Sequence, residues 1–375
     1  MQVADQTDNK SAEFTAYVHL AYGFDALKWQ KDWRNGKKIG LNEEFPYGYY
    51  HATGLGASVV HSKDYPERHV QKLLRYGFRW LFGFDFFHAW YNRNDILRAD
   101  VVWTHTESQS LAILLLFFIL KPATPPKIIA QIIWLIDEWP RLSWFKKTIY
   151  KKLLQKADIL SFHSPLNANV ASIIFPAARI EVVRFGISTA YRSLPSLRNK
   201  KQKIRVLSVG NDRHRDWTTL IDSVRGTDDI EVRLVTATFK LGSKCDNISI
   251  VKIESNSQLL ALYEWADILV LTLKPNLHAS GITVIQEAVI LGVPVICSKV
   301  GGLESYFHDT EIFYVDPSDP EQICRAVRQL ADDDQLRQSL IENSKKRLVE
   351  GAIDSKGFVK RHVELSRELL QNANH

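Results

Sequence analysis

Residues 278–304 read HASGITVIQEAVILGVPVICSKVGGLE. The apolar run before them, 268–273, has the unbroken hydrophobicity of a parallel strand buried on both faces, and 282–291 is apolar and of helical length. Ser280 is placed to cap that helix. Gly281 lets a ligand approach the open amides of the first turn, from Ile282 through Thr283 to Val284, which suits a diphosphate. Thr283 and Glu287 are four apart and share a helical face, so a carboxylate lies one turn beyond the phosphate site, within reach of ribose hydroxyls. Gly292 and Pro294 end the helix, VPVIC returns as a strand, and Gly301-Gly302 permits a tight turn where open α/β sheets bind ligands. Taken alone, Glu287 could equally be a carboxylate on a solvated helix face.

Upstream, residues 204–209 read as a strand that opens through Gly210-Asn211-Asp212-Arg213-His214-Arg215-Asp216 into a helix at 218–224. A strand passing through glycine into a basic loop and a helix is phosphate-binding geometry, and either Arg213 or Arg215 can make bidentate contacts to phosphate oxygens. Strands at 230–235 and 248–251 lead to Ile253 and Glu254.

Together, Glu287-Ala288, Gly292-Val293-Pro294-Val295-Ile296, Gly301-Gly302 and Glu304 resemble the signature of the retaining group 1 (family 4-like) nucleotide-sugar glycosyltransferases. Ala157-Asp158, Ser164 and the segment 184–188 extend the resemblance, which covers roughly residues 157–345. It implies an α/β, GT-B architecture: two Rossmann-like domains facing across a central cleft. The expected division is an acceptor domain at 1–186, a linker at 187–203, a nucleotide-sugar domain at 204–355, and a last helix, 356–375, returning to the first domain. The resemblance assigns the donor diphosphate to Gly210, Arg213, Arg215 and the backbone of 280–284, the base to Ile253 and Glu254, and the ribose to Glu287. It implies no cofactor beyond the nucleoside-diphosphate sugar and no metal, with UDP favoured over GDP. One departure stands out. The first glutamate of the family pattern, which contacts the transferred sugar, is here Ala279, flanked by His278. His278 then either meets the sugar, bonds the β-phosphate, or simply fixes its loop.

The first half is legible mainly as layout. A strand at 16–21 precedes residues 22–50, which have no clear period and stand where acceptors enter in the resembling family; Asp25 and Trp29 are the contacts expected there, unless Asp25 only forms a turn. Residues 67–97 read as helical, with Arg68, Lys72, Arg75 and Arg79 as a basic stripe, or as a core helix with one solvated face. Strands at 101–104 and 128–136 deliver His105 and Asp137 to the cleft; with His278 these are the catalytic candidates.

The 375 residues carry 45% hydrophobic and 24% charged side chains, the composition of a folded two-domain protein. Residues 1–185 hold 23 Lys+Arg against 17 Asp+Glu, leaving 25 of each from the totals of 48 and 42, so the whole net charge of +6 lies there, as do eight of the ten tryptophans. Such a half suits an anionic, partly apolar partner. The lysine-rich helix 144–158 is the sequence's candidate for lying on an anionic membrane, a plain solvated helix being the alternative. Nucleic acid ranks lower, for want of a recognition motif. Residues 111–120 are apolar but too short to span a bilayer, which takes ~20. Cys245, Cys297 and Cys324 form no close pair and the first fifteen residues are not apolar, which points to a cytoplasmic protein, peripheral on the inner face of the membrane. The activity expected is sugar transfer to a saccharide or lipid-linked saccharide in bacterial polysaccharide synthesis. A non-catalytic nucleotide-sugar-binding or scaffolding subunit of a glycan-assembly complex is the runner-up, motivated by Ala279.

Overall fold

The structure is a computed structural model that describes residues 12–191, 203–242 and 245–372. Most of the linker expected at 187–203 therefore lies outside the described residues.

Two six-stranded, wholly parallel sheets make up the molecule. The first contains β1 (Phe14–His19), β2 (Ala57–His61), β3 (Val101–Thr104), β4 (Lys127–Ile132), β5 (Ile159–Phe162) and β6 (Ile180–Val182), in the order β2-β1-β3-β4-β5-β6. The second contains β7 (Ile204–Val209), β8 (Ile230–Val235), β9 (Ile248–Val251), β10 (Ile268–Leu271), β11 (Val295–Ser298) and β12 (Phe313–Val315), in the order β12-β11-β10-β7-β8-β9. Helices cover both faces of each sheet, so central strands such as VVWT, ILSF, ILVL and VICS are buried along their whole length. Strand order reverses between β1 and β3 in one sheet and between β7 and β10 in the other. Ligands bind open parallel sheets in the crevices outside the carboxyl ends at such points.

The last helix, Ser355–Gln371, crosses back to the first sheet. Its Phe358, Val359, Val363 and Leu369 share a core with Phe14, Ala16 and Trp103, and the Trp103 indole donates to Ser366 Oγ at 2.9 Å. That crossing ties the end of the chain to the domain in which it began.

Three readings of the first domain need correction. The segment 22–50 is ordered: it holds a helix, Ala26–Arg34, and enters a 3-10 segment, Pro46–Leu55. Residues 67–97 are three helices, His69–Phe82, Phe86–Tyr91 and Arg93–Leu97, the first of them stopped at Gly83. Arg75 does not belong to a solvated stripe. It is buried, with Nε donating to Glu67 Oε1 at 2.6 Å and Nη1 to Asp85 Oδ2 at 2.9 Å, and these two carboxylates outweigh the burial that would otherwise lower its pKa.

Candidate active site

At the carboxyl ends of β7, β8 and β9 lies a cavity of about 510 Å³, within the range of small-ligand sites. Gly210, Asn211, Ile253, Glu254, Thr283, Val284 and Glu287 all reach its wall. Gly210 has φ +149°, and a side chain there would collide with the Arg215 guanidinium. Its backbone therefore forms a floor with a cation directly behind it. Asn211 Oδ1 holds the neighbouring loop, accepting from Ala237 N–H at 2.6 Å.

Glu287 is buried at the far side of this cavity. Oε2 accepts from the Tyr263 hydroxyl at 2.8 Å and Oε1 from Leu41 N–H at 3.2 Å, while burial pushes its pKa upward. The second bond comes from the other domain. The loop through Gly40 crosses the cleft, and Gly40 N–H donates to Asn256 Oδ1 at 3.0 Å. A Cβ on Gly40 would sit 2.7 Å from Glu287 Oε1, at a φ of +106°. Only glycine allows this approach. A solvated helix face is thus not what Glu287 occupies.

The amino end of the helix Ile282–Leu291 faces the phosphate side of the cavity, and its first-turn amides have no intrahelical acceptors. Ser280 is not its cap, contrary to expectation. Gly281 occupies that position in a left-handed conformation, and Ser280 turns back, donating from Oγ to Asp212 Oδ2 at 2.9 Å and accepting from Arg215 Nη1 at 3.2 Å.

The two arginines of the loop have different parts. Arg215 is buried beneath Gly210 and Gly281, its Nε donating to Val209 O at 3.1 Å, and burial lowers its pKa. Arg213 is half exposed and reaches across the cleft to pair with Glu138. Its charge is the one a ligand can recruit by displacing a partner.

His278 and Asp137 meet in the cleft. His278 Nδ1 donates to Asp137 Oδ2 at 2.6 Å and Nε2 faces Asp212 Oδ2 at 3.3 Å; Leu277 N–H donates to Asp137 Oδ1 at 2.9 Å. Burial opposes the imidazolium, but the two carboxylates outweigh it and raise its pKa. Asp212 is held well below the usual carboxylate range: burial opposes this, and the bonds from His278, His214 N–H and Ser280 prevail. A continuous polar chain therefore runs from Asp137 through His278, Asp212 and Ser280 to Arg215. Asp212, its centre, was readable only as part of the basic loop.

Asp212, His214 and His278 also bring ligand-type atoms within 4.8 Å of one another. Both ring nitrogens of His278 are already turned to carboxylates, Nδ1 to Asp137 and Nε2 to Asp212. The Asp-x-Asp run 332–334 is a helix junction, where Asp333 caps Asp334–Glu350.

A second cavity, of about 440 Å³, opens at the β1/β3 reversal between His19, Tyr22, His88, His105 and Glu107. His105 shares a 3.1 Å hydrogen bond with the Tyr49 hydroxyl and stacks on Tyr47 with ring centroids 3.7 Å apart; burial, helped by His163 and His362, pushes its pKa down to about 3. It is a neutral imidazole. His19 Nδ1 is buried in the same region without a hydrogen-bond partner among the described residues. Glu107 Oε2 accepts from Ile133 N–H at 3.1 Å, and burial raises its pKa. Neither residue stood out from the sequence, because strand ends commonly carry polar groups.

Asp25 and Trp29 do not offer free contacts. Asp25 caps Ala26–Arg34 through Oδ1 and accepts from Asp64 N–H at 3.2 Å through Oδ2. Trp29 is buried, its indole donates to Glu43 O at 3.0 Å, and Lys38 Nζ covers its ring at 3.8 Å.

Residues 172–347 match the family described as glycosyl transferases group 1. An uncharacterized glycosyltransferase of Methanocaldococcus jannaschii, MJ1607, is 28% identical over 128 residues, which are 34% of this chain and 32% of that protein. The chain thus spans about a third of the length of that curated relative in the match. Sucrose-phosphate synthase from Thermosynechococcus elongatus superposes with a TM-score of 0.68 at 15% identity, over 96% of this chain and 100% of that one. Anabaena Alr3699/HepE, solved in complex with UDP and glucose, gives 0.64 at 15% identity, over 93% and 98%.

Proposed function

We propose that this chain, whose residues 172–347 match the group 1 glycosyltransferases and whose domains form a GT-B fold, moves a sugar from a nucleoside diphosphate to an acceptor hydroxyl. UDP is the favoured nucleotide, configuration at the anomeric carbon is retained, and the acceptor is a saccharide or lipid-linked saccharide of bacterial polysaccharide synthesis, at the inner face of the plasma membrane. One observation carries the reading: a nucleoside-sized cavity ends at Glu287 on one side and at glycine floors backed by Arg215 on the other.

In this reading the nucleoside occupies the cavity between Ile253 and Val284, and ribose hydroxyls reach the Glu287 carboxylate. The diphosphate lies against the amides of 281–284. Arg213 exchanges Glu138 for a phosphate oxygen, while Arg215 holds positive charge beneath the floor. The C1–O bond breaks with its electron pair leaving on the diphosphate, the acceptor oxygen bonds to C1, and the hydroxyl proton goes to solvent or a neighbouring base. Arginine, imidazolium and oriented amides stabilise the departing anion, so no metal is needed. His278, anchored by Asp137, borders the position of the missing glutamate, and the second cavity with His105 takes the acceptor. The UDP seen with Alr3699/HepE supports the choice of nucleotide.

The test is UDP release from a panel of UDP-sugars with candidate acceptors, followed by NMR with and without chelator, the anomeric coupling of the product giving the stereochemistry. Release indifferent to chelator and a retained configuration are expected. Tight nucleotide binding without turnover on any acceptor would favour the scaffolding reading. Ala279 is the observation behind that reading, since it is buried where a sugar-binding carboxylate is expected.

A further inference from the structure

The helix His69–Phe82 is attached to the protein by one side only. Arg75 is its sole buried residue, and Phe78 and Phe82 anchor it in an aromatic cluster with Phe84 and Phe86. Val70, Leu73, Leu74, Gly77, Trp80 and Leu81 fall within about a third of the circumference at 3.6 residues per turn. That third faces water: Val70 is 68% exposed, Leu73 73% and Trp80 83%. The amphipathic pattern is therefore inverted relative to a core helix. Lys72, Arg75 and Arg79 lie on the opposite side, and the helix contains no acidic residue.

A second element continues the surface. Phe145, at the start of the helix Trp144–Leu154, contacts Phe82 with ring centroids 6.0 Å apart, and the Tyr150 hydroxyl donates to Phe82 O at 2.5 Å. The apolar side of this helix, Tyr150, Leu153 and Leu154, is buried in the domain, so it does not lie on a membrane by that face as the sequence suggests. Its outward parts are Trp144, 80% exposed, and its lysines; it too lacks acidic residues.

We infer that the outer face of His69–Phe82, with Trp144 and Phe145, docks the protein on an anionic lipid bilayer. Charge complementarity selects this occupant. An exposed apolar and aromatic strip, continued by Trp144 and Phe145 beside Lys146 and Lys147, on two helices without acidic residues and in the domain that holds the whole net positive charge, matches acyl chains beneath anionic headgroups. Among the described residues no helix is long and apolar enough to cross a membrane, so the attachment lies in the interface plane. The inner side of the same helix carries Arg75 and Arg79 to the wall of the second cavity. Resting on the glycosyl-transfer reading, that arrangement sets an acceptor carried by lipid next to the site.

The experiment is co-sedimentation of the full chain with vesicles of phosphatidylcholine alone and of phosphatidylcholine mixed with phosphatidylglycerol, alongside sedimentation velocity without lipid. Pelleting with the anionic vesicles is expected, with partitioning weakened about tenfold or more in L73S/L74S/W80S and, separately, in K146E/K147E. Unchanged melting and unchanged UDP affinity in these variants keep folding and the donor site out of the result, and vesicle binding stands even if UDP does not bind. Failure of the natural chain to pellet, or undiminished pelleting of L73S/L74S/W80S, overturns the inference. So does a lipid-free dimer abolished by L73S/L74S/W80S, which would make a second copy the occupant.

Discussion

Asp137 and His278 meet across the interdomain cleft at 2.6 Å, and the same imidazole faces Asp212 at 3.3 Å. One domain supplies the first carboxylate, the other the ring and the second carboxylate. The triad therefore acts as a clamp whose strength depends on the proton of His278. Because the folded pKa is raised above the ordinary 6.5, its contribution is fully present below that value and is lost as pH rises through the folded pKa. Asp212 has the opposite sign: its depressed pKa contributes above the ordinary carboxylate value and is lost as pH falls. We expect H278N to lower stability near neutral pH by roughly 3 kcal/mol, the low end for breaking a buried pair because Asp212 is partly exposed. Denaturant melts across pH should show its deficit shrinking on the alkaline side; a pH-independent deficit would rule out the clamp.

The two loop arginines should separate in experiment. R213A removes an exposed side chain that pairs across the cleft with Glu138, so we expect weaker diphosphate binding with little change in melting temperature. R215M leaves Val209 O and Ser280 Oγ short of a donor in the interior, at about 1–3 kcal/mol each. Its melting temperature should fall clearly. Equal loss of stability in both variants would contradict this division.

Gly40 gives a test of how the first domain reaches the nucleotide site. In G40A the new methyl group would meet Glu287 Oε1 at 2.7 Å in a left-handed backbone, which itself costs about 1–2 kcal/mol. We expect nucleotide affinity to fall and the Leu41 contact to open, while G36A on the same loop, also left-handed at φ +66° but with nothing within 4 Å of the added carbon, has the backbone strain without the Glu287 clash and lowers affinity less. Calorimetry with UDP decides it.

Tyr263 supports the carboxylate from below. Y263F removes the 2.8 Å bond to Glu287 Oε2, worth about 1.5–3 kcal/mol for a charged acceptor, and should raise the already elevated pKa of Glu287 further. Nucleotide affinity should then fall off at a higher pH in the variant as the solution is acidified. An unshifted profile would exclude Glu287 as the titrating ligand.

The second half of the fold was legible because its signals are local. The strand before Gly210, the helix from Ile282 and the turn at Gly301-Gly302 each declare themselves within about ten residues, the scale on which periodicity and breakers operate. The cap was misassigned for a local reason too: a left-handed Gly281 displaced Ser280, whose hydroxyl found Asp212 instead. Contacts made across the fold were illegible. Nothing near Arg75 announces Glu67 and Asp85 as its partners, and nothing near Gly40 points to Glu287. The helix His69–Phe82 shows the limit of periodicity itself: an apolar stripe has the same spacing whether it faces a core or a bilayer.

The central claim is that Glu287 and the glycine floors bind a nucleoside diphosphate. Isothermal titration of UDP and UDP-sugars into the natural chain and into E287A, in the presence of chelator, tests it most directly. The account predicts metal-independent binding by the natural chain and a loss of at least about tenfold in E287A, titrated well below the variant's melting temperature. Equal affinity in the two proteins, or no binding by either, would contradict it.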